Sequence, residues 1–233
     1  MKKSLLVVAL LSAFAPMVAQ AEAGDIVVRL RAAYVNPDEK SRLAETVATN
    51  VGDVMTAGAN LAVGNNTIPE LDISYYITKN IAAELILAVG TKHKVSVVGD
   101  ALNDIGSQDL GKVNLLPPTL TAQWHFNPDQ TIDPYIGAGL NYTNALDRKL
   151  TFTDGDVTDG YNIRIDRSMF GLVAQAGVDI NLGSGWLINA DVKYINVNTD
   201  VKMRAPDSTG AWTKIDKLDI NPWVFGVGIG KKF

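Results

Sequence analysis

Apolar and polar side chains alternate with a period of two in eight separate stretches of the chain. That is the spacing of an extended strand whose two faces meet different surroundings. In "LLPPTLTAQWHF" (115–126), Leu116, Pro118, Leu120, Ala122, Trp124 and Phe126 share one face, while Pro117, Thr119, Thr121, Gln123 and His125 share the other. The pattern recurs at 26–34, 68–78, 81–89, 134–143, 170–180, 186–194 and 223–233. The polar faces carry Arg29 and Arg31 in the first segment, then Glu70, Asp72, Glu84, Asp179, Asp191 and Lys193 further along. A soluble sandwich turns its apolar face onto a core, whereas a barrel in lipid turns that face outward. The faces alone leave both readings open.

The connections favour the barrel. Three are short: "KN" (79–80), "NPDQTID" (127–133) and "GSG" (183–185). The other four, at 35–67, 90–114, 144–167 and 195–221, are long and polar. They far exceed the usual loop length of about 4–6 residues. Short and long alternate strictly, as in an up-and-down barrel with both termini on the periplasmic side. With that topology, Tyr34, Tyr142, Phe170, Tyr194 and Trp223 fall at the outer end of the apolar faces, and Tyr75, Trp124, Phe126, Trp186 and Phe233 at the inner end. Aromatic girdles at both interfaces are expected of a membrane barrel. The predicted fold is therefore all-β: an eight-stranded antiparallel up-and-down transmembrane β-barrel with long extracellular loops and short periplasmic turns.

The ends and the composition agree. Lys2 and Lys3, an apolar run and "AQA" at 19–21 have the form of a secretory signal, so residues 1–21 are expected to be removed and 22–233 to form the barrel domain. Losing the two lysines takes the formal charge from −4 to −6, which offers no basic footprint for nucleic acid. With no cysteine there is no disulfide scaffold, thiolate metal site or thiol nucleophile. Past the signal no run approaches the roughly 18 apolar residues of a membrane helix.

Several segments together resemble one family. Leu116-Pro117-Pro118-Thr119, Pro134-Tyr135-x-Gly137-x-Gly139, "GVDI" (177–180), "WLINADVKY" (186–194) and Asp219-x-x-Pro222-Trp223 are similar to the outer-membrane protein W family of Gram-negative bacteria, over nearly all of the mature chain. The long loops diverge. The resemblance implies localisation in the bacterial outer membrane among lipid and lipopolysaccharide. It also implies passage of small hydrophobic molecules through an apolar upper lumen, with release sideways into the bilayer. A terminal aromatic, here Phe233, is what the barrel assembly machinery reads in such proteins.

Eight strands leave an interior that side chains fill or that holds one small ligand. Arg29, Arg31, Glu70, Asp72, Glu84, Gln123, His125, Asp179, Asp191 and Lys193 are expected to form a polar network there, with inward glycines making room. A structural plug is the favoured reading, and a gated path the other. Pro117 and Pro118 have no N–H for the ladder. They mark either the permitted first positions of a strand or a gap in the wall, the candidate lateral opening. Met169 and Val173 are candidates for lining the entrance. "DGDVTDG" (154–160) has acidic spacing but lacks the closing glutamate of a calcium loop. "KHK" (92–94) reads as a solvated basic spot, and the apolar stretch 43–63 either as a short helix over the mouth or as a segment against lipid. No spacing joins a nucleophile to a base, so neither catalysis, metal nor cofactor is expected. The alternative to a conduit is a closed structural barrel whose extracellular loops bind partners, as a receptor or adhesin does.

Overall fold

The computed structural model describes residues 22–52, 57–99, 107–151, 162–204 and 209–233. The expected signal sequence and the acidic "DGDVTDG" segment lie outside them. Eight strands close a ring in the order β1 (Ile26–Asn36), β3 (Asn66–Tyr76), β4 (Ile81–Ala88), β7 (Thr119–His125), β8 (Ile132–Asp147), β11 (Ser168–Gly183), β12 (Trp186–Arg204) and β14 (Trp223–Lys232). β14 returns to pair with β1, antiparallel, from Val27↔Lys232 to Asn36↔Trp223. Reciprocal backbone bonds between Ile26 and Phe233, at 3.1 and 2.8 Å, finish the seam. Closure leaves no free edge in this ring, which is how a sheet satisfies its backbone groups in lipid. No helix among the described residues is long and apolar enough to cross a membrane.

The faces point as a lipid barrel requires. Leu30, Leu120, Leu140, Phe170, Leu172, Val227 and Ile229 are exposed on the outside, while Arg29, Arg31, Asp72, Glu84 and His125 are buried inside. The outer girdle includes two cross-strand pairs: Tyr142 with Phe170, ring centroids 4.9 Å apart, and Tyr194 with Trp223, 5.0 Å apart.

The long loops depart from the expectation, because much of their length is sheet. β5 (Thr91–Val98) and β6 (Ser107–Leu116) form a hairpin edged by β2 (Asn60–Val63), and β6 runs onto the outer end of β8. β9 (Lys149–Thr151), β10 (Asn162–Ile165) and β13 (Thr213–Asp219) extend the wall around β12. The barrel thus continues above the girdle, with the alternation reversed. In β12, outward Ile188, Ala190, Val192 and Tyr194 give way to Asn196, Asn198, Asp200 and Lys202, while inward Asn189, Asp191 and Lys193 give way to Ile195, Val197 and Val201. Below the girdle the outside is lipid and takes the apolar side chains; above it the outside is water, and the hydrophobic effect turns them inward.

Those inward residues form the main apolar core, in which Val95, Val97, Leu110, Leu150, Ile163 and Val201 pack together. The stretch at 43–63 contributes helix α1 (Leu43–Asn50), whose Leu43, Ala44 and Val47 are buried in this upper core. Asp216 tethers the helix start by accepting from the Ser41 hydroxyl at 2.6 Å and the Arg42 amide at 2.9 Å.

Candidate functional site

Inside the membrane-spanning half, the polar faces of seven of the eight ring strands converge on one network, and β14 contributes inward glycines that make room for it. Arg31 donates to Asp72 at 2.5 Å and lies 3.0 Å from Glu70, 3.0 Å from Glu84 and 3.5 Å from Asp191. Arg29 bonds Asp179 through Nη2 at 2.5 Å and Ser74 at 2.6 Å. Lys193 spans Glu70 at 2.9 Å and Asp191 at 2.6 Å. Gln123 and Gln175 donate to the second oxygen of Glu84 at 2.7 and 2.8 Å. At the periplasmic end His125 meets Asp133 at 2.7 Å, between the rings of Tyr76 and Tyr135. The structure therefore brings together all ten residues expected in the lumen.

Seven further members went unnamed as site candidates: Ser74, Tyr76, Thr121, Asp133, Tyr135, Gln175 and Asn189. Each has the inward parity of its strand, and that was the available signal. Tyr135 also needs space from a partner strand, because a Cβ at Gly177 would overlap its phenol ring. Gly230 likewise gives room to the Arg29 stem, where a Cβ would lie 2.9 Å from Cγ. Buried charges persist only when paired and hydrogen-bonded. The packed interior meets that condition and leaves the lower lumen filled.

His125, Asp133 and Asp179 have the donor set of a metal site, with one ligand atom from each within 4.8 Å of the others. Their geometry is otherwise committed. Asp179 holds the Arg29 guanidinium with both oxygens, at 3.2 and 2.5 Å, so a fixed cation already supplies the positive charge there.

Above the network lies a cavity enclosing about 1090 Å³ of empty space, its open mouth included. Val35, Leu61, Ile68, Ile86, Val113, Leu150, Ile165, Val197 and Leu218 are among its walls, and Glu70 and Lys193 stand at the junction with the charged network. Met169 lines it. Val173 is buried on the lumen side opposite Gly139 and Ile195 but is not a lining residue. His93 corrects the reading of "KHK" as a solvated spot. Lys92 and Lys94 are exposed, but β5 turns the imidazole inward onto the cavity wall, where Nδ1 lies 2.9 Å from the Gly64 carbonyl. Burial lowers the His93 pKa, and the Gly64 contact acts in the opposite direction.

Pro117 and Pro118 interrupt what had read as one continuous strand: β6 ends at Leu116 and β7 begins at Thr119. Toward β8 the segment is fastened, with the Tyr142 amide donating to the Pro118 carbonyl at 3.0 Å and Asn141 to that of Pro117 at 3.3 Å. Toward β4 the ladder stops at Ile86↔Thr119 and resumes at Thr91↔Leu115. Residues 87–90 thus face 116–118 with no ladder pairs between them. Ala88 and Pro117 line the cavity at this break, and Val89 and Leu116 are exposed on its outer side.

A closed eight-stranded ring with a lipid-facing apolar belt, two aromatic girdles and a charge-filled lumen defines an outer-membrane β-barrel. The match to the OmpW family model over residues 22–233 places the chain in that family. Outer membrane protein W of Vibrio cholerae is 36% identical over 238 residues, covering all of both chains. The crystal structure of OprG from Pseudomonas aeruginosa superposes with a TM-score of 0.75 at 26% identity, covering 93% of this chain and 99% of that one. The solution structure of the E. coli outer membrane protein W gives 0.56 at 30% identity, covering 91% and 99%. The protein resides in the outer membrane, in contact with its lipids.

Proposed function

We propose that the barrel is a passive conduit for small hydrophobic molecules, which enter the upper cavity from outside and leave sideways into the bilayer at Pro117 and Pro118. The observation that carries this reading is the junction of three features: an apolar cavity, a charged floor beneath it, and an unpaired stretch of wall beside it. An alkane-like solute gains about 0.8 kcal/mol per methylene on leaving water. The packed ion pairs below offer it nothing, whereas lipid lies one wall away. Met169 serves as a lining residue, with Val173 just outside the lining. The route requires neither covalent chemistry nor a cofactor. Residues 1–21 serve as the export signal, and Phe233 presents the terminal aromatic to the assembly machinery.

The test is uptake of a long-chain alkane or fatty-acid-like tracer by proteoliposomes. The native barrel should exceed empty vesicles, and Pro117→Ala/Pro118→Ala, checked for folding by its heat-modifiable mobility, should lose the excess. Background-level transport by the native protein would sink the conduit and leave a closed barrel that works through its extracellular surface.

A further inference from the structure

On the outward face of the extracellular sheet, four cations stand side by side on four adjacent strands. Lys149 of β9 is in register with Arg164 of β10, Arg164 with Lys202 of β12, and Lys202 with Lys214 of β13. Their neighbours Leu150, Ile163, Ile165, Val201 and Ile215 are buried, so the period of two sends this row away from the core. Like charges directly opposite one another on paired strands are destabilising. A sheet that needed only a soluble surface would alternate signs across the ladders. This one keeps three successive like-charged pairs.

The row is reinforced at one end. Trp212 lies under two guanidinium groups, with Arg164 at 3.7 Å and Arg204 at 4.8 Å from its ring centroid. The ring holds two arginines close together on one flat platform. Arg164 is held below its ordinary pKa, first by desolvation and then by Arg148 and Arg204, as expected in a locally positive field. Two carboxylates offset part of the charge: Asp166 accepts from Lys202 at 2.8 Å, and Asp200 from Lys214 at 2.6 Å. Among the described residues that leaves Arg148, Lys149 and Arg204 with no carboxylate at ion-pair distance, while Arg164 feels the charge of Asp166 without an ion pair to it.

Position narrows the ligand. Lys202 follows Tyr194 of the outer girdle by eight residues on the same strand. At about 3.3 Å per residue on a strand tilted by roughly 40°, the row stands about 20 Å above the acyl boundary. That depth belongs to phosphorylated saccharide rather than to lipid tails. Because the wall here continues the barrel wall, the row faces the glycolipids that surround the protein and not the cavity.

We infer that this row, with Arg204 and the Trp212 platform, is a binding surface for the phosphate groups of outer-leaflet glycolipid. Arginine provides planar bidentate donors for phosphate, and lysine adds point charges. Anion binding relieves the repulsion along the row, so the like-charged pairs lose their cost when the ligand is in place. The surface is independent of the conduit: it lies on the opposite face of the wall from the cavity.

The experiment uses the full folded chain in nanodiscs and measures binding of lipopolysaccharide carrying its inner-core and lipid A phosphates, beside the same material enzymatically dephosphorylated. Lys149→Gln/Arg164→Gln/Lys202→Gln should weaken binding of the phosphorylated form by about tenfold, the sum of three exposed charge contacts. Its melting temperature should change little, because the repulsion removed is offset by the Lys202–Asp166 ion pair and the Arg164–Trp212 stacking that are lost with it. The native protein should bind dephosphorylated material no better than the variant binds the phosphorylated form. Should the triple variant fail to fold, Arg164→Gln alone is expected to cost about twofold, one third of that free energy. Equal affinity in native and variant, or equal affinity for both glycolipids, would overturn the inference. So would complete displacement by heparin at equal charge concentration, which would point to a soluble polysaccharide instead.

Discussion

Replacing Arg31 by Met tests whether the lower lumen is a dry plug. The guanidinium has contacts with Asp72, Glu70, Glu84 and Asp191 at 2.5 to 3.5 Å, and its side chain is fully shielded from solvent. Methionine keeps much of the volume and removes the charge. Arg29 still reaches Glu84 at 3.4 Å and Lys193 still holds Glu70 and Asp191, but Asp72 loses its cation. Deleting one member of a buried ionic network costs about 3–5 kcal/mol, because the charges left behind are uncompensated. With a urea dependence of about 2 kcal/mol per molar, the unfolding midpoint in lipid vesicles should fall by roughly 2 M. The double variant Arg31→Met/Asp72→Asn should recover part of that loss. Exposed ion pairs are worth only about 0–1 kcal/mol. A midpoint shift of less than about 0.5 M would therefore refute the reasoning and mean that water screens these charges throughout the lumen.

Other expectations follow from individual contacts. Gly177→Ala should destabilise the barrel by about 1–3 kcal/mol in the same unfolding assay, since the new methyl displaces Tyr135 from its 2.9 Å bond to Asp191. Met169→Trp should fill part of the cavity and reduce tracer uptake while leaving heat-modifiable folding intact. Burial lowers the His93 pKa below its ordinary 6.5, so the unfolded hairpin takes up the proton first. The stability His93 contributes is thus complete above pH 6.5 and declines as the pH falls from there toward the lowered folded value. Hydrogen exchange in β5, corrected for intrinsic rates, should be faster at pH 5 than at pH 7.5, and His93→Gln should abolish the difference.

The membrane half of the fold was readable from the sequence because lipid enforces one rule on every strand there. A period-two pattern with its apolar side outward identified the strands, and their inward parity delivered Arg29, Arg31, Glu70, Asp72 and Glu84 as neighbours. The extracellular half was not readable by that rule. On β12 the inward positions change from Lys193 to Ile195 and Val197 as the surroundings change from lipid to water, so the same period carries the opposite meaning. Segments with apolar residues in the inward register therefore passed as polar loops, so the upper cavity was expected only through the family resemblance and not from the residues that wall it. His93 was misplaced for this reason: flanked by two lysines, it looked solvated, although its parity matches Val95 and Val97. Tyr135 depended on space left by Gly177 of a neighbouring strand, a long-range complementarity that no local window contains. The prolines were visible as an anomaly, but which neighbour lost its ladder depended on β8 pairing with both β6 and β7 while β4 pairs with β7 alone on that side.

The route itself can be mapped with a diazirine-bearing alkyl tracer, photolysed during uptake and followed by mass spectrometry of the labelled residues. Lateral exit predicts adducts on cavity residues such as Ile86, Leu150 and Ile165, and on the unpaired wall at 87–90 and 116–118, with none below Lys193. Adducts on Gln123, His125 or Asp133 would place the solute in the charged lumen and contradict lateral exit.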